Sequence, residues 1–206
     1  MALKNTKYRF GSITKFFHWF MAALIMFMLI SGIYVAQFSD PGLFRFLALV
    51  WHKNIGVVIL ILVIMRYIAR IMQQSPALPP SPIGFARTIH WLSLCVHYAI
   101  YALMVAQPIT GILTSSAAGV PINVMKLFII PVLITPSEQS FLLFKLIHSY
   151  CAYGLIGLLF VHICGALTHQ FIHKDYVLKR MLPFVKVDIP EERAEEIEQN
   201  NTIERN

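Results

Sequence analysis

The sequence predicts an all-α fold, a transmembrane four-helix bundle with its N and C termini in the cytoplasm. Three observations predict it. Of the 206 residues, 57% are hydrophobic and only 13% are charged, whereas soluble domains carry about 25% charged residues. Four apolar stretches reach the length of about 20 residues that a bilayer crossing needs. Basic residues gather on one set of loops and spare the other. An ordinary water-soluble enzyme and a disordered chain are excluded, because so few charges cannot cover a water-facing surface. No nucleic-acid partner is expected despite the net charge of +7, since the basic residues lie scattered beside apolar runs. The expected surroundings are membrane lipid.

The first span runs from Phe16 to about Gln37 and holds no formal charge. Its apolar run is too long for the core of a signal peptide and no small-residue cleavage site follows, so it reads as a retained span. The second runs from about 46 to 67, with Lys53 and Arg66 near its ends. A Pro-rich link, Gln73 to Pro82, follows and cannot be helical throughout. The third span covers about 89 to 113 without charge. An apolar run from Val124 to Ile134, broken by Pro131, is too short to cross and is expected to lie at the interface or re-enter. The fourth span covers about 141 to 172; at 1.5 Å per residue it is roughly 48 Å long, so one end should project into water. Residues 1–183 are thus expected to form the membrane domain. Residues 184–206 form an acidic cytoplasmic tail. No internal repeat is evident.

Lys4, Lys7, Arg9, Lys15, Arg66, Arg70, Arg87, Lys174, Lys179, Arg180 and Lys186 fall on one side. Only Arg45, Lys53, Lys126 and Lys145 fall on the other. The richer side is cytoplasmic by the positive-inside rule. Cys95, Cys151 and Cys164 lie in apolar runs with no C-x-x-C. They are expected to be buried thiols, and neither a zinc ribbon nor a covalent c-type haem is indicated.

Histidines inside spans are costly and therefore point to function. His148 and His162 are 14 residues apart on span four. That spacing comes within about 40° of whole turns, so both share a face, roughly 21 Å apart along the axis. Measured from the outer ends, His148 lies about 10 Å deep and His52 about 9 Å, while His162 lies about 31 Å deep and His18 about 29 Å. The depths pair His52 with His148 outside and His18 with His162 inside. The residue four after each is small, Ala22, Gly56, Ala152 and Ala166, which would let a flat macrocycle approach the backbone. His97 lies between the two levels and suits a helix–helix hydrogen bond as well as a ligand. His90 is expected at the interface, and His169 with His173 at a solvated helix end. Paired neutral imidazoles in spans without carboxylates suit low-spin haem iron better than zinc or a proton relay. Arg66 and Arg70 inside, and Lys53 and Lys145 outside, are candidate partners for haem propionates.

The segments FFHWF at His18, WHKNIGVVILILVIMRY with His52 and Arg66, HYAIYALMVAQPITG at His97, the pair His148 and His162, and HQFIHKDYVLKRML together resemble the bacterial cytochrome b561 family over roughly residues 8–182. The resemblance implies a four-helix bundle with two non-covalent b haems, ligated by His18 with His162 and by His52 with His148. It also implies a quinone-linked electron carrier of the inner membrane, with ubiquinone as substrate. Some relatives resemble superoxide oxidases, in which superoxide electrons reduce ubiquinone. The alternative is an electron-relay subunit for a dehydrogenase or periplasmic redox partner protein, without a substrate of its own. His97 and His169 match family positions without a role carried over; His173 and the acidic tail do not match. The quinone site is not legible, with Lys15 and Lys53 its only candidates.

Overall fold

The computed structural model describes residues 3–6, 9–38, 42–74, 76, 86–172 and 177–185, with backbone alone for 86–89. His173, most of the Pro-rich link and the acidic tail lie outside the described residues. The chain is mostly helical. Four long helices are α1 Ser12–Gln37, α2 Leu43–Met72, α3 Ala86–Ala117 and α4 Glu138–Phe171, and α5 Val177–Met181 is a short fifth. Strands β1 Ile122–Val124 and β2 Phe128–Ile130 lie between α3 and α4. The four long helices are each apolar and long enough to cross a membrane, as a four-helix bundle requires.

Each helix extends past the span read from its apolar run, and local caps secure three of the ends. Ser137 caps α4, its Oγ accepting the Ser140 N–H at 3.1 Å. Asn5 Oδ1 accepts from Gly11 N at 2.9 Å and Thr14 Oγ1 at 2.8 Å, securing the start of α1. At the end of α3, Gly119 has φ +73°. The Gly119 N–H bonds the Ser116 carbonyl at 2.9 Å and the Val120 N–H bonds the Ser115 carbonyl at 3.0 Å. This is a Schellman termination, and the left-handed turn it needs favours glycine.

The outer link departs from expectation. Its apolar run is a β-hairpin, with Ile122 paired to Ile130 and Val124 to Phe128. Met125 (φ 49°) and Lys126 (φ 62°) form the tight turn, which the right-handed strand twist favours even for non-glycine residues. Two side chains hold this turn: Met125 N donates to Asn54 Oδ1 at 2.7 Å, and Lys126 N to Asn123 Oδ1 at 3.1 Å. Ile122 and Val124 pack with Val57 of α2 in one buried cluster, each worth about 2 kcal/mol relative to exposure. Alternation along β1 hides these two side chains on one face, a period-2 pattern too short to stand out in the sequence.

Packing divides the chain into two units. One draws on Met1–Trp19, Arg66–Tyr98 and Phe160–Asn206, the other on Phe20–Met65 and Ala99–Leu159. In the second unit Met21, Ile25, Val57, Ile59, Val63, Ile100, Met104 and Leu155 form the buried interior. In the first unit Lys15 is only 9% exposed, and its Nζ donates to the carbonyls of Leu182 (3.1 Å) and Val185 (3.3 Å). Trp19 Nε1 donates to the Met181 carbonyl at 2.8 Å. Lys15 and Trp19, one helical turn apart, tie the segment around α5 to α1. Large apolar side chains such as Phe16, Trp51, Tyr150 and Phe160 are exposed along the helices, as lipid-facing positions should be.

The cysteines correct one expectation. All three are free, but Cys95 is exposed and Cys151 and Cys164 are only partly buried. An apolar run marks burial in lipid as readily as burial in protein.

Candidate functional site

Two histidine clusters form, one within each unit. In the second unit, His52 of α2 and His148 of α4 have ring centres 6.2 Å apart, with planes at 81°. In the first unit, His18 of α1 and His162 of α4 have ring centres 6.3 Å apart, with planes at 57°. An imidazole nitrogen binds a first-row metal ion at about 2 Å and lies about 1 Å from its ring centre, so two imidazoles on opposite sides of one ion have centres about 6 Å apart. Both pairs meet that spacing. Among the described residues no group of three or more His, Cys, Asp or Glu is placed to hold a metal ion, so the clusters suit two-imidazole ligation rather than a zinc cage.

The hydrogen bonds around His52 and His148 decide which ring nitrogen is basic. His148 Nδ1 lies 3.0 Å from the Gln107 carbonyl and 3.0 Å from Thr110 Oγ1. A carbonyl can only accept, so Nδ1 carries the proton and Nε2 holds the lone pair. Gln107 Nε2 stands 3.3 Å from His148 Nε2, while the buried Gln107 Oε1 has no hydrogen-bond partner. A metal on His148 Nε2 would displace that amide, which would then need another partner. Around His52, Ser31 Oγ donates to the Met28 carbonyl at 3.1 Å and lies 3.0 Å from His52 Nδ1. With its one hydrogen committed to a carbonyl, the hydroxyl accepts from Nδ1–H, and His52 Nε2 also holds a lone pair. The donor set of this pair fits haem iron.

The other cluster has the same ring spacing and a different electrostatic design. Arg66 Nη2 lies 2.9 Å from His18 Nδ1. His97 joins the cluster, its ring centre 5.0 Å from that of His162 at 88°. His97 Nδ1 donates to the Ser93 carbonyl at 2.6 Å. The edge-on 5.0 Å contact is too short for His97 and His162 to bind one ion from opposite sides. This pair of His18 and His162 fits haem by spacing, with Arg66 close enough to serve an acidic group at its edge.

Other expected residues are placed as follows. Lys53 Nζ donates to Ser115 Oγ at 3.0 Å, and Ser115 Oγ donates to the Val120 carbonyl at 2.7 Å. The Arg70 guanidinium sits 5.6 Å from the Tyr98 ring centre, and Lys145 Nζ 5.9 Å from that of Phe141. His90 and His169 are partly buried near helix ends. Two glycines that the sequence reading did not single out meet the imidazoles. A Cβ at Gly32 would stand 3.0 Å from His52 Cε1, and one at Gly111 would stand 3.1 Å from His148 Cε1. Gly56 instead faces Met28. Sequence reasoning missed Ser31, Gly32, Gln107, Thr110 and Gly111, because each acts on a histidine of another helix. One signal was available: Ile30-Ser31-Gly32-Ile33 and Ile109-Thr110-Gly111-Ile112 are near copies.

Comparison with known proteins finds similarity along most of the chain. A profile of the prokaryotic cytochrome b561 family matches residues 9–184. The chain is similar to cytochrome b561 homolog 2 of Escherichia coli, 30% identical over 182 residues, covering 88% of this chain and 95% of that protein. It is also similar to a probable superoxide oxidase, CybB, of Yersinia pestis, 28% identical over 178 residues, covering 81% and 91%.

Proposed function

The chain belongs to the prokaryotic cytochrome b561 family, and from that premise we propose that it is a di-haem b-type cytochrome of the bacterial inner membrane, passing electrons to ubiquinone. Membership implies b-type haem and a membrane-bound electron carrier. The finer reading is that His52 with His148 holds one haem and His18 with His162 the other. The observation that carries it is the pair of ring separations, 6.2 and 6.3 Å, each joining two different helices. Bound haem iron supplies the one-electron chemistry. The protein's part is to present neutral imidazoles, exclude water and hold the charged edges of the group. Arg66 and Lys53 are the proposed partners of the propionates.

In this reading residues 1–183 form the cytochrome domain and 184–206 its tail, with both ends cytoplasmic and the His52 site toward the outer face. Similarity to a probable superoxide oxidase suggests the donor. Two superoxide anions each lose one electron and become dioxygen, and ubiquinone takes up the two electrons with two protons. Arg45, Lys53, Lys126 and Lys145 outnumber the acids of the expected outer loops, Asp40 and Glu138, and such an excess steers small anions.

The test begins with the reduced-minus-oxidised spectrum of the purified protein and its haem content. Sharp α and Soret bands with two haems per chain are expected; a featureless spectrum sinks the reading. Stopped-flow mixing with superoxide and a soluble ubiquinone then reads the reaction. Quinol formation supports the oxidase, and haem reduction by a partner protein without any superoxide reaction replaces it with a relay.

A further inference from the structure

The hydroxyl–glycine pairs Ser31–Gly32 and Thr110–Gly111 stand in the same relation to two different histidines. We propose that they are positioning elements that lock His52 and His148 in one tautomer and one ring plane, and thereby set the reduction potential of the haem between them. This inference rests on the ligand assignment proposed above and adds residues to it.

Each imidazole is held on two edges. The hydroxyl takes the Nδ1 edge, with Ser31 Oγ 3.0 Å from His52 Nδ1 and Thr110 Oγ1 3.0 Å from His148 Nδ1. The adjacent glycine takes the Cε1 corner, where an added Cβ would stand at 3.0 or 3.1 Å. That is closer than a methyl group and an aromatic C–H can rest without displacement. The one remaining nitrogen, Nε2, then keeps its lone pair for a metal. A hydrogen bond from Nδ1–H to a fixed acceptor also raises the electron-donating power of the ring. The oxidised iron gains more from that than the reduced iron, so the bond holds the potential down.

The recurrence argues against accident. His18 precedes Ser31 by 13 residues and His97 precedes Thr110 by 13; Arg66 follows His52 by 14 and His162 follows His148 by 14. The helix pair α1–α2 and the helix pair α3–α4 thus repeat one register, a sparse internal repeat that corrects the expectation of none, with the cradle at the same place in each. The register is invisible to composition because only the chemistry-bearing positions are kept. Among the described residues the His18 site shows no such device. His18 Nδ1 meets Arg66, a group that can only donate, so its ring is held in the opposite sense.

The test compares Ser31→Ala and Ser31→Thr by redox titration of the purified, haem-loaded protein, with haem content and ferric electron paramagnetic resonance alongside. Ser31→Ala should keep two haems and raise one potential, changing the ferric-to-ferrous ratio at fixed potential by roughly tenfold, or about 59 mV for one electron. Ser31→Thr should return the parent value. Thr110→Ala should shift less, because the Gln107 carbonyl still accepts from His148. Gly32→Ala should move the ferric g-values of one haem or lose about half of the haem. A haem-loaded Ser31→Ala variant with both potentials unmoved overturns the inference and leaves the cytochrome reading standing. A parent protein that binds no haem overturns both.

Discussion

Arg66 Nη2 lies 2.9 Å from His18 Nδ1. The guanidinium is permanently charged and can only donate, so the ring nitrogen facing it must accept. For His18 to bind iron through Nε2, its proton must move to Nδ1 and Arg66 must withdraw to an anion. A haem propionate is such an anion, and it would free the ring in the same step. The two clusters therefore differ in their readiness. The hydrogen bonds of His52 and His148 leave a lone pair on Nε2, whereas the charge beside His18 holds its ring in the other tautomer.

This difference makes Arg66→Gln informative. Removing a cation from beside a redox centre disfavours the reduced form, so one potential should fall. A single charge at an effective dielectric of about 20 contributes about 1–2 kcal/mol, which for one electron is some tens of millivolts. Arg66→Lys should keep most of the potential while lowering haem retention, because an ammonium lacks the planar fork. A potentiometric titration of both haems reads the outcome.

His97 should prove dispensable for haem binding. Its ring contacts His162 edge-on at 5.0 Å, and its Nδ1 is already committed to the Ser93 carbonyl. His97→Ala is expected to retain two haems per chain, whereas His162→Ala and His148→Ala should each lose about half of the haem. Haem-to-protein ratios after purification separate these cases. Loss of a haem in His97→Ala would move the ligand assignment of that site.

Asn54 should matter to stability rather than to electron transfer. It is 8% exposed, its Nδ2 bonds the Val50 carbonyl at 2.8 Å, and its Oδ1 accepts from Met125 N at 2.7 Å. Asn54→Leu leaves the hairpin turn without its acceptor, at a cost of about 1–3 kcal/mol. Tm in detergent should fall, and hydrogen exchange of the Met125 amide should accelerate. Asn54→Asp, which keeps the acceptor, should protect that amide.

Lys53 links the proposed outer site to charge. Its Nζ bonds Ser115 Oγ at 3.0 Å, one residue along from His52. Lys53→Met should lower the rate of reaction with superoxide several-fold and flatten its dependence on ionic strength, as loss of electrostatic steering does. Stopped-flow rates across a salt series check both effects. An unchanged salt slope would assign the steering to other residues.

The spans were legible because a bilayer imposes length and apolarity on every residue of a crossing helix, a signal that averages over each segment. The helix ends were not, because Ser137 and Gly119 extend or stop a helix through single backbone contacts. The hairpin was hidden for a related reason. Strands of three residues carry too little alternation to read, and the turn at Met125 and Lys126 depends on an acceptor 71 residues away.

The sequence by itself determined the four membrane helices, the family, and four histidines at two depths, because helical rise and periodicity turn residue spacing into position along an axis. It could not determine what each imidazole faces. That depends on how the helices are rotated against one another, and no spacing along a single helix encodes rotation relative to a neighbour. Only the tertiary structure decided that Gly32 and Gly111 lie against the rings of His52 and His148. It also decided that Ser31 and Thr110 meet the Nδ1 edges, and that Arg66 meets His18.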